Sequence, residues 1–483
     1  MSMYSIASHW LNYIDGEWLD SPQQLSVNNP GTGQPLATIA QATVDDAEHA
    51  VRAARRCADS GELTRVRPAQ RVTWLLRIAE EIRAVAEEGA WVLCQENGKS
   101  LNDAKDEFVE AARYFEYYAG MADKIEGTSI PLGNGYMDFT LYDPMGVSAQ
   151  IVPWNFPVSI CARSLAPALA AGNAVVIKSP ELSPLGMCVL IRAVAKAGLP
   201  KGAVNLICGR GREVGAHLVG HRDVDQIVFT GSVPTGQSIL RDAAEHAIPS
   251  VMELGGKSAA IAFADADREQ LLASVKGGIF FNAGQVCSAM SRLLVQREIY
   301  EEVVESVVAL AEGLSVGVGH DNPDLTPVVS AGQLAGIEAL CRRAIEEGAV
   351  AATGGEGFSD RAGYFMRPTV FRDVSPDMCI AQEEVFGPVL AVIPFDSEEE
   401  AIAIANGTAF GLVAGVFTQD ISRAMRCTRR LKAGQVFVNE WYAGGIETPF
   451  GGVGLSGFGR EKGQEALYSY VRTKNVAIRV AGE

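Results

Sequence analysis

One residue that could do covalent chemistry lies in the stretch FFNAGQVCSAMSR, residues 280–292. Cys287 is one of nine cysteines in the chain, and this stretch holds neither a CxxC pair nor a His or Lys that would lower the pKa of the thiol. Taken alone, Cys287 is either a small buried apolar residue or a nucleophile. The choice depends on which side chains the rest of the chain places beside it.

Two further motifs carry side chains that suit catalysis or ligand binding. In VPWNFP (152–157), Asn155 either caps a turn beside a proline or donates its amide to a developing oxyanion. In VVIKSPE (175–181), Lys178 and Glu181 follow a buried strand, at the place where parallel α/β sheets bind ligands. They form either a solvated ion pair or a pair that holds the ribose of a nucleotide.

Glycine-rich turns follow two neighbouring predicted strands. CGRGREVG (208–215) contains Gly211 and Gly215 but departs from the usual G-x-G-x-x-G spacing. FTGS (229–232) places Gly231 and Ser232 where the N-terminus of a helix could bind a pyrophosphate. Either turn alone could be a simple chain reversal, but two in adjacent β–α units favour a nucleotide site.

Acidic side chains stand in two more motifs. Glu253 in MELGGKS (252–258) is either a water-exposed turn residue or a partly desolvated general base. Glu384 in EEVFGPV (383–389) precedes Phe386 and a Gly-Pro turn, and alone it is typical of a charged loop. A glycine-dense loop with two phenylalanines, TPFGGVGLSGFGREKG, follows at 448–463.

The elements that must position these motifs alternate between strands and helices. Helical periodicity predicts early helices over 43–60, 67–97 and about 101–124. Two strands that pair through an Asp-Pro turn are predicted over 136–152. Buried strands then alternate with helices, first over 174–246 and again after residue 290, which predicts an α/β fold with parallel sheets covered on both faces. The closing strand, 469–480, pairs either within the chain or across a subunit interface.

Length, composition and charge limit the classes of function. A chain of 483 residues, 48% hydrophobic, needs more than one core. The net charge of −17 argues against binding nucleic acid, and no segment is apolar and long enough to span a bilayer. The start of the chain shows no signal peptide, and nine scattered cysteines indicate reduced thiols in the cytoplasm. Only six histidines are present, none at ligand spacing from Cys or acidic residues, so no metal site is predicted.

The order of these motifs along the chain resembles the NAD(P)-dependent aldehyde dehydrogenase superfamily. The resemblance runs from Trp-Asn-Phe-Pro through Lys178-x-x-Glu181, Gly231-Ser232 and Glu253-Leu-Gly-Gly to Gly-Gln-x-Cys287, and it continues in Glu-x-Phe-Gly-Pro and Pro-Phe-Gly-Gly near the end. It therefore covers nearly the whole chain. The family fold is α/β, with two Rossmann-like parallel-sheet domains and a small β element that forms oligomers.

The resemblance implies a role for each catalytic candidate. Cys287 is expected to attack the aldehyde carbonyl and form a thiohemiacetal, which Asn155 and the Cys287 backbone N–H stabilise as an oxyanion. Loss of hydride to NAD leaves a thioester, and Glu253 activates the water that hydrolyses it. Lys178 is expected to relay protons with Glu461, which lies in the motif GREKG.

The resemblance also implies residues that bind the cofactor and the substrate. Those expected to hold NAD are Ile151, Trp154, Lys178, Glu181, Gly211, Gly215, Gly231, Ser232, Leu254, Glu384 and Phe386. The carboxylate of Glu181 would repel the 2′-phosphate of NADP, so NAD is predicted. Those expected to line the aldehyde tunnel are Phe156, Ser159, Ile160, Arg163, Phe281, Val286, Ser288, Trp441, Tyr442 and Phe450.

The identity of the aldehyde stays open at this point. The aromatic side chains of the tunnel favour a bulky apolar or aromatic aldehyde. Arg163 could instead bind a semialdehyde that bears a carboxylate, or form a structural salt bridge, and its charge disfavours a trimethylammonium substrate. Two further possibilities are a relative that transfers the acyl group to CoA and a non-catalytic structural protein on the same fold. A cysteine protease is excluded because no motif contains His.

The resemblance also predicts a division of the chain and an assembly. The NAD-binding domain is expected over 1–122 and 145–253, the catalytic domain over 254–456, and oligomerisation strands over 123–144 and 466–483. The protein is expected to be a cytoplasmic homodimer or homotetramer whose partner is a small aldehyde, with no nucleic acid and no membrane involved.

Overall fold

A computed structural model describes residues 4–480 of the chain. Residues 1–3, at the start of the predicted NAD-binding domain, and residues 481–483, at the end of the last predicted oligomerisation strand, lie outside the described residues. Among the helices of 4–480, none is both long and apolar enough to cross a membrane.

The helices are longest in the first third of the chain. They are α1 (Val44–Ser60), α2 (Pro68–Asn97), α3 (Leu101–Ala119), α4 (Pro157–Ala171), α5 (Leu185–Ala195), α6 (Ala216–Val219), α7 (Val233–Ala244), α8 (Arg268–Val275), α9 (Tyr300–Glu312), α10 (Ala331–Glu346), α11 (Cys379–Gln382), α12 (Glu398–Ala405), α13 (Ile421–Arg430) and α14 (Gly463–Tyr468). Helix α1 begins at a capping box between Thr43 and Asp46 and ends at Gly61, which has a left-handed φ of 75°.

The strands belong to four sheets. They are β1 (His9–Trp10), β2 (Asn12–Ile14), β3 (Glu17–Leu19), β4 (Gln24–Asn28), β5 (Pro35–Ala40), β6 (Ser129–Ile130), β7 (Tyr136–Pro144), β8 (Val147–Ile151), β9 (Ala174–Ser179), β10 (Val204–Cys208), β11 (Gln226–Thr230), β12 (Ser250–Glu253), β13 (Ala259–Ala262), β14 (Arg292–Gln296), β15 (Val350–Thr353), β16 (Thr369–Arg372), β17 (Val389–Phe395), β18 (Val413–Phe417), β19 (Gln435–Val438), β20 (Gly457–Phe458) and β21 (Val471–Arg479).

The first large sheet has eight strands in the order β20-β12-β11-β8-β9-β10-β2-β3. Its five central strands, from β12 to β10, are parallel, and the strands that flank them are antiparallel. The chain runs from β8 outward in both directions, so the strand order reverses between β8 and β11. In open α/β sheets the crevice at such a reversal, outside the carboxyl ends of the strands, is the usual ligand site.

The second large sheet has seven strands in the order β15-β16-β17-β14-β13-β18-β19, all parallel except for β15. A five-residue loop, 254–258, leads from the last parallel strand of the first sheet into β13 at the centre of the second. Two smaller sheets, β1-β5-β4 and β21-β7-β6, complete the fold. The predicted α/β class, with two mostly parallel sheets and a small additional β element, is confirmed.

The strand pairing predicted over 136–152 is wrong. Strands β7 and β8 belong to different sheets, because Gly146 turns the chain at a φ of 126° between them. The apolar β8 is buried at the centre of the first large sheet, whereas the half-exposed β7 pairs with the closing strand β21 along nine residues. The closing strand therefore pairs within the chain. The predicted domain boundaries and the oligomerisation role of this small sheet stay predictions.

Candidate active site

Two cavities lie at the reversal point between β8 and β11. The inner cavity, of about 220 Å³, is lined by Pro153, Trp154, Asn155, Thr230, Gly231, Ser232, Glu253, Gly255, Cys287, Gln333, Glu384 and Phe386. The outer cavity, of about 430 Å³, is lined by Ile151, Gly211, Arg212, Gly215, Ala216, Val219, Pro234, Thr235, Ser238, Ile239 and Asp242. The inner cavity therefore collects motifs from both large sheets, which is what a reaction between two bound molecules requires.

Cys287 reaches the inner cavity from an unusual loop. The backbone turns through three consecutive left-handed residues, Asn282, Ala283 and Gly284, with φ of 48°, 53° and 71°. At Gly284 a Cβ atom would lie 2.0 Å from the carbonyl oxygen of Gly387, so only glycine fits. Such strained backbone is concentrated at functional sites. Burial raises the pKa of the Cys287 thiol to about 12, so the thiol holds its proton at neutral pH.

Asn155 lies between β8 and α4 and faces the same cavity. Its side-chain Nδ2 donates one hydrogen bond, of 3.0 Å, to the carbonyl oxygen of Gln285, two residues before Cys287. An amide nitrogen carries two hydrogens, so the second N–H of Asn155 is available beside the thiol. This arrangement gives a fixed donor next to a nucleophile, which suits stabilisation of an oxyanion.

Glu253 ends strand β12 and is 2% exposed. Neither oxygen of its carboxyl group has a hydrogen-bond partner among the described residues. Burial, with the nearby charge of Glu461, raises the pKa of Glu253 well above its usual value, against the opposing charges of Arg163 and Arg460. A carboxyl group without partners and with a raised pKa is typical of a general base or acid.

Glu384 and Phe386 close the inner cavity on the side of the second sheet. Glu384 Oε1 accepts a hydrogen bond of 3.0 Å from the backbone N–H of Gly256, and burial raises its pKa to about 7. Phe386 has a left-handed φ of 54°, and its ring packs edge-on against Trp154 at 5.3 Å between centroids. A carboxylate beside an aromatic edge could hold a ribose and a flat ring, which agrees with the predicted role.

The residues predicted to bind the adenosine ribose lie beside the outer cavity, next to Gly211 and Gly215 of its lining. Glu181 accepts a hydrogen bond of 2.9 Å from the backbone N–H of Gly211. Lys178 is buried at the end of β9, and its ammonium has no hydrogen-bond or ion-pair partner within residues 4–480. A Cβ on Gly215 would meet only Lys178 Cδ, at 3.9 Å, so it would project into open space. An unpartnered cation and an open glycine floor fit a dinucleotide that carries hydroxyl and phosphate groups.

The remaining predicted cofactor residues lie close to these cavities. Ile151 lines the outer cavity, and Gly231 and Ser232 line the inner one. Leu254 instead packs its side chain against Gly236 of α7, and its neighbour Gly255 contributes to the inner cavity.

Aromatic rings surround the loop that carries the thiol. Phe156 stacks on Phe281 at 5.8 Å between ring centroids, and Phe281 meets Tyr442 edge-on at 6.4 Å. The indole N–H of Trp441 donates to the carbonyl oxygen of Ser288, the residue after the thiol, at 3.2 Å. The other predicted tunnel residues, all less than 10% exposed, are Ser159, Ile160, Arg163, Val286 and Phe450. The structure thus places an apolar, mainly aromatic wall beside Cys287.

Arg163 forms a buried ion pair with Glu461, and its guanidinium lies 5.2 Å from the centre of the Phe450 ring. Burial would lower the pKa of Arg163, but Glu461 and the other acidic neighbours together outweigh burial and raise the pKa. Glu461 also accepts a hydrogen bond of 2.8 Å from Ser164. The expected proton relay between Glu461 and Lys178 stays a prediction, since Glu461 contacts Arg163 and Ser164 of α4 whereas Lys178 lies near Cys208 and Glu181.

The sequence spacing of the histidines did not reveal one cluster that the fold creates. Glu48 of α1 lies beside His217 and His221, with ligand atoms within 4.8 Å of one another. The two histidines are four residues apart, and the fold brings Glu48 from a distant segment. His221 Nδ1 accepts a hydrogen bond of 3.0 Å from the Asp223 N–H, so its Nε2 carries the proton that it donates to Glu48. The contacts describe a hydrogen-bonded cluster.

Four residues of the inner cavity were not foreseen: Pro153, Thr230, Gly255 and Gln333. Three of them, Pro153, Thr230 and Gly255, lie inside motifs quoted above, but no role was assigned to them. Gln333 comes from α10, far from any motif, and donates a hydrogen bond of 2.8 Å to the carbonyl oxygen of Phe386. Only the tertiary fold reveals it.

Comparison with known proteins agrees with the chemistry that the geometry of the site suggests. Residues 18–476 match the model of the aldehyde dehydrogenase family. Betaine aldehyde dehydrogenase from Bacillus subtilis is 40% identical over 472 residues, 96% of this chain and 96% of that protein. Retinal dehydrogenase 2 from Gallus gallus is 40% identical over 484 residues, 98% of this chain and 92% of that protein.

A solved structure of aldehyde dehydrogenase from Bacillus cereus, in complex with NAD+, has a TM-score of 0.96 and 38% identity to this chain. The match covers 98% of this chain and 97% of that one. The family predicted from the motifs is therefore confirmed, and this chain belongs to the aldehyde dehydrogenase family.

Proposed function

We propose that this chain, an NAD-dependent aldehyde dehydrogenase, oxidises a bulky apolar or aromatic aldehyde to the carboxylic acid and releases the acid by hydrolysis. The observation that carries the proposal is that Cys287, Asn155 and Glu253 line one cavity together with Glu384 and Phe386. A nucleophile, an oxyanion donor, a base and ribose-binding groups are thereby in reach of one bound aldehyde.

Cys287 performs the covalent step. Its Sγ adds to the aldehyde carbon, the thiol proton passes to Glu253 or to a water molecule, and the carbonyl oxygen gains the negative charge. The free N–H of Asn155 and the backbone N–H of Cys287 donate to that oxygen, which lowers the barrier. NAD, when bound, accepts the hydride that turns the thiohemiacetal into a thioester. The residues fitted to hold it are Trp154, Lys178, Glu181, Ser232, Glu384 and Phe386.

Glu253 releases the product. Its carboxylate takes a proton from a water molecule, whose oxygen adds to the thioester carbon, and the C–S bond then breaks to free Cys287. The buried, unpartnered carboxyl group supports this role over transfer to CoA, because an acyl-transferring enzyme needs no base for water. A purely structural protein would have no need to keep these three groups in one cavity.

The substrate class is inferred from the wall of the site. Phe156, Phe281 and Tyr442 form a continuous aromatic surface near Cys287. Arg163 is neutralised by Glu461, which argues against the alternative in which it binds the carboxylate of a semialdehyde. Relatives that act on betaine aldehyde and on retinal are equally similar to this chain, at 40% identity, so the names of relatives do not choose between a cationic and an apolar substrate.

An NADH-release assay tests this proposal. We expect NADH from aromatic and long-chain aldehydes with NAD alone, no increase on adding CoA, and at least tenfold lower kcat/KM for betaine aldehyde and for short semialdehydes. Strict dependence on CoA would contradict the hydrolytic mechanism. A preference for succinic or similar semialdehydes would contradict only the substrate class and would return Arg163 to a binding role.

We further propose that the protein is a cytoplasmic homodimer or homotetramer assembled through the sheet β21-β7-β6. Three apolar side chains of β7 and β21, Met137, Leu141 and Ile478, are 41–56% exposed in the single chain, which supports contact with another copy. All nine cysteines are free thiols, which agrees with a reducing compartment. Light scattering of the purified protein tests the assembly, and a monomer at micromolar concentration would contradict it.

A further inference from the structure

We propose that Lys99 and Glu107, two buried residues outside the cavity, form a clamp that positions Asn155 for oxyanion stabilisation. The inference rests on the proposed role of Asn155 and adds two positioning residues to it. Neither residue lies in one of the catalytic or cofactor motifs. Lys99 lies between α2 and α3, and Glu107 lies in the second turn of α3.

Lys99 is attached directly to the backbone of the oxyanion donor. Its side chain is 0% exposed, and its Nζ donates a hydrogen bond of 2.8 Å to the carbonyl oxygen of Asn155. The same Nζ lies 4.2 Å above the centre of the Phe156 ring. One cation thus contacts the residue that carries the donor and the next residue, which begins the aromatic wall. Burying it this completely is costly unless every contact is made.

Glu107 completes the clamp on the helix that follows. Its Oε2 accepts from Lys99 Nζ at 2.6 Å, and its Oε1 accepts from the backbone N–H groups of Val158 and Ser159 at 2.8 and 3.0 Å. Those two N–H groups are free donors of the first turn of α4. A single carboxylate therefore joins the cation under Asn155 to the helix that begins two residues later.

A third contact holds the other side of the segment. Asn97 Nδ2 donates hydrogen bonds to the carbonyl oxygen of Trp154, at 2.8 Å, and to Ser183 Oγ, at 3.0 Å. Residues 154–159 therefore have their backbone fixed at four polar groups by side chains from 97–107. The segment itself is irregular, with Phe156 at φ −138° and ψ 63°, so it depends on such external contacts for its shape.

Positioning of this kind has a direct effect on rate. A donor lowers the barrier only where it meets the oxygen of the transition state, and an error of about 1 Å in a reacting group can cost on the order of 10²-fold. Asn155 has one side-chain hydrogen bond, to the Gln285 carbonyl, so the orientation of its amide is set largely by its backbone. The clamp fixes that backbone.

A purely structural role for the ion pair is the alternative, and the chain contains a matched control. Glu96, at the end of α2, is equally buried and caps the first turn of α5 in the same way, through Leu185 and Gly186 N–H at 2.7 Å each. Within the part of the chain that the structure describes, Glu96 makes no hydrogen bond to residues 154–159. A Glu96→Gln variant should therefore lose thermal stability while its kcat stays within about twofold of wild type.

The test compares kcat between single variants and double variants that also carry Asn155→Ala. Lys99→Met should lower kcat by ~10–100-fold, somewhat less than the 10²–10³-fold that loss of an oxyanion donor costs, with KM for the aldehyde changed by less than about threefold. In an Asn155→Ala background, Lys99→Met should have no further effect on kcat, because its target is gone. Glu107→Gln, which keeps an acceptor for Val158 and Ser159, should show a smaller loss that also disappears in Asn155→Ala.

Each result of this comparison has one meaning. If Asn155→Ala itself keeps its kcat, the proposed function of Asn155 fails, and the clamp has nothing to position. If Asn155→Ala is impaired but Lys99→Met keeps its kcat, or lowers kcat by the same factor in both backgrounds, the clamp is overturned and the proposed function stands. If Lys99→Met does not fold, the kcat of Glu107→Gln, measured alone and in the Asn155→Ala background, decides between the same outcomes.

Discussion

The inner and outer cavities differ in the burial of their polar groups and in the strain of the backbone around them. In the inner cavity the partly buried Cys287 and the buried Glu253 have raised pKa values, and the adjoining backbone is left-handed over three residues. In the outer cavity Gly211 is exposed, as is Glu181 beside it, and Gly215 opens onto free space. The first arrangement is unfavourable for folding and useful for chemistry, whereas the second has little strain and suits reversible binding.

The comparison predicts a division of kinetic effects. Changes in the inner cavity should act on kcat, because its groups act on the reacting atoms. Changes in the outer cavity should act on KM for NAD, because its groups are proposed to contact only the half of the cofactor that is distant from the reaction. Variants of both cavities, taken from the largest expected effect to the smallest, test that division.

Cys287→Ser should abolish turnover, with kcat lower by on the order of 10⁴-fold or more, because the hydroxyl in this buried site is far less acidic than the thiol. NAD binding, measured by calorimetry, should stay within about twofold of wild type. Any one of the eight other cysteines provides a control, and Cys57→Ser, in the buried face of α1, should keep full activity. Loss of NAD affinity together with kcat would contradict the division between the cavities.

Glu253→Gln should lower steady-state kcat by ~10²–10⁴-fold, because the amide cannot take the proton of the hydrolytic water. The thioester should still form, so stopped-flow traces should show a burst of about one NADH per subunit followed by slow release. Mass spectrometry of the quenched enzyme should show the acyl group on Cys287. Full steady-state turnover in this variant would contradict the role of Glu253 as the base.

The pH profile is a third test of the inner cavity. Burial raises the pKa of Cys287 to about 12 and that of Glu253 above its usual value, and both groups react in the deprotonated form. Because the deprotonated fraction grows as pH rises, kcat/KM for the aldehyde should increase between pH 6 and pH 9, by at most ~10-fold per unit. A profile that is flat or falls over this range would contradict these assignments.

The two cavities also differ in how well the sequence predicts them. The outer cavity is lined in part by the strand-to-helix turn at 208–215, which was found because glycines follow a buried strand there. Alternating strands and helices also predicted the fold class. The pairing over 136–152 failed because periodicity describes one strand at a time and cannot tell which sheet a strand joins.

The motifs that line the inner cavity were predicted from the sequence, but the residues that support them were not. Asn155 and Cys287 were identified, whereas Gln333, Lys99 and Glu107 were missed because their segments carry no distinctive spacing. Lys99 is 56 residues from the carbonyl group that it binds, and such a contact exists only once α3 has packed against α4. The contacts of Glu461 were missed for the same reason, since its neighbours on α4 are separated from it by about 300 residues.

Glu181→Gln should alter selection of the cofactor more than the rate of chemistry. Removing the charge near the expected ribose site relieves repulsion of a 2′-phosphate, so the ratio of kcat/KM for NAD to that for NADP should fall by ~10-fold, which equals 1.4 kcal/mol. Gln retains an acceptor for the Gly211 N–H, so the turn should be preserved. If kcat with saturating NAD falls as much as this ratio, Glu181 acts on chemistry, and the division between the cavities fails.

Gly215→Val is the mildest test and isolates the shape of the outer cavity. Gly215 has ordinary helical angles, φ −65° and ψ −48°, and its Cβ would meet nothing closer than Lys178 Cδ at 3.9 Å, so the fold should accept valine. The added methyl groups would occupy space left for the cofactor and raise KM for NAD by ~3–10-fold at unchanged kcat. Gly336→Val, on an exposed part of α10 with equally open space, is the control for valine in a helix. Equal KM values in both variants would mean that the cofactor does not approach Gly215, and the outer cavity would lose its assigned role, while the inner cavity would keep its own.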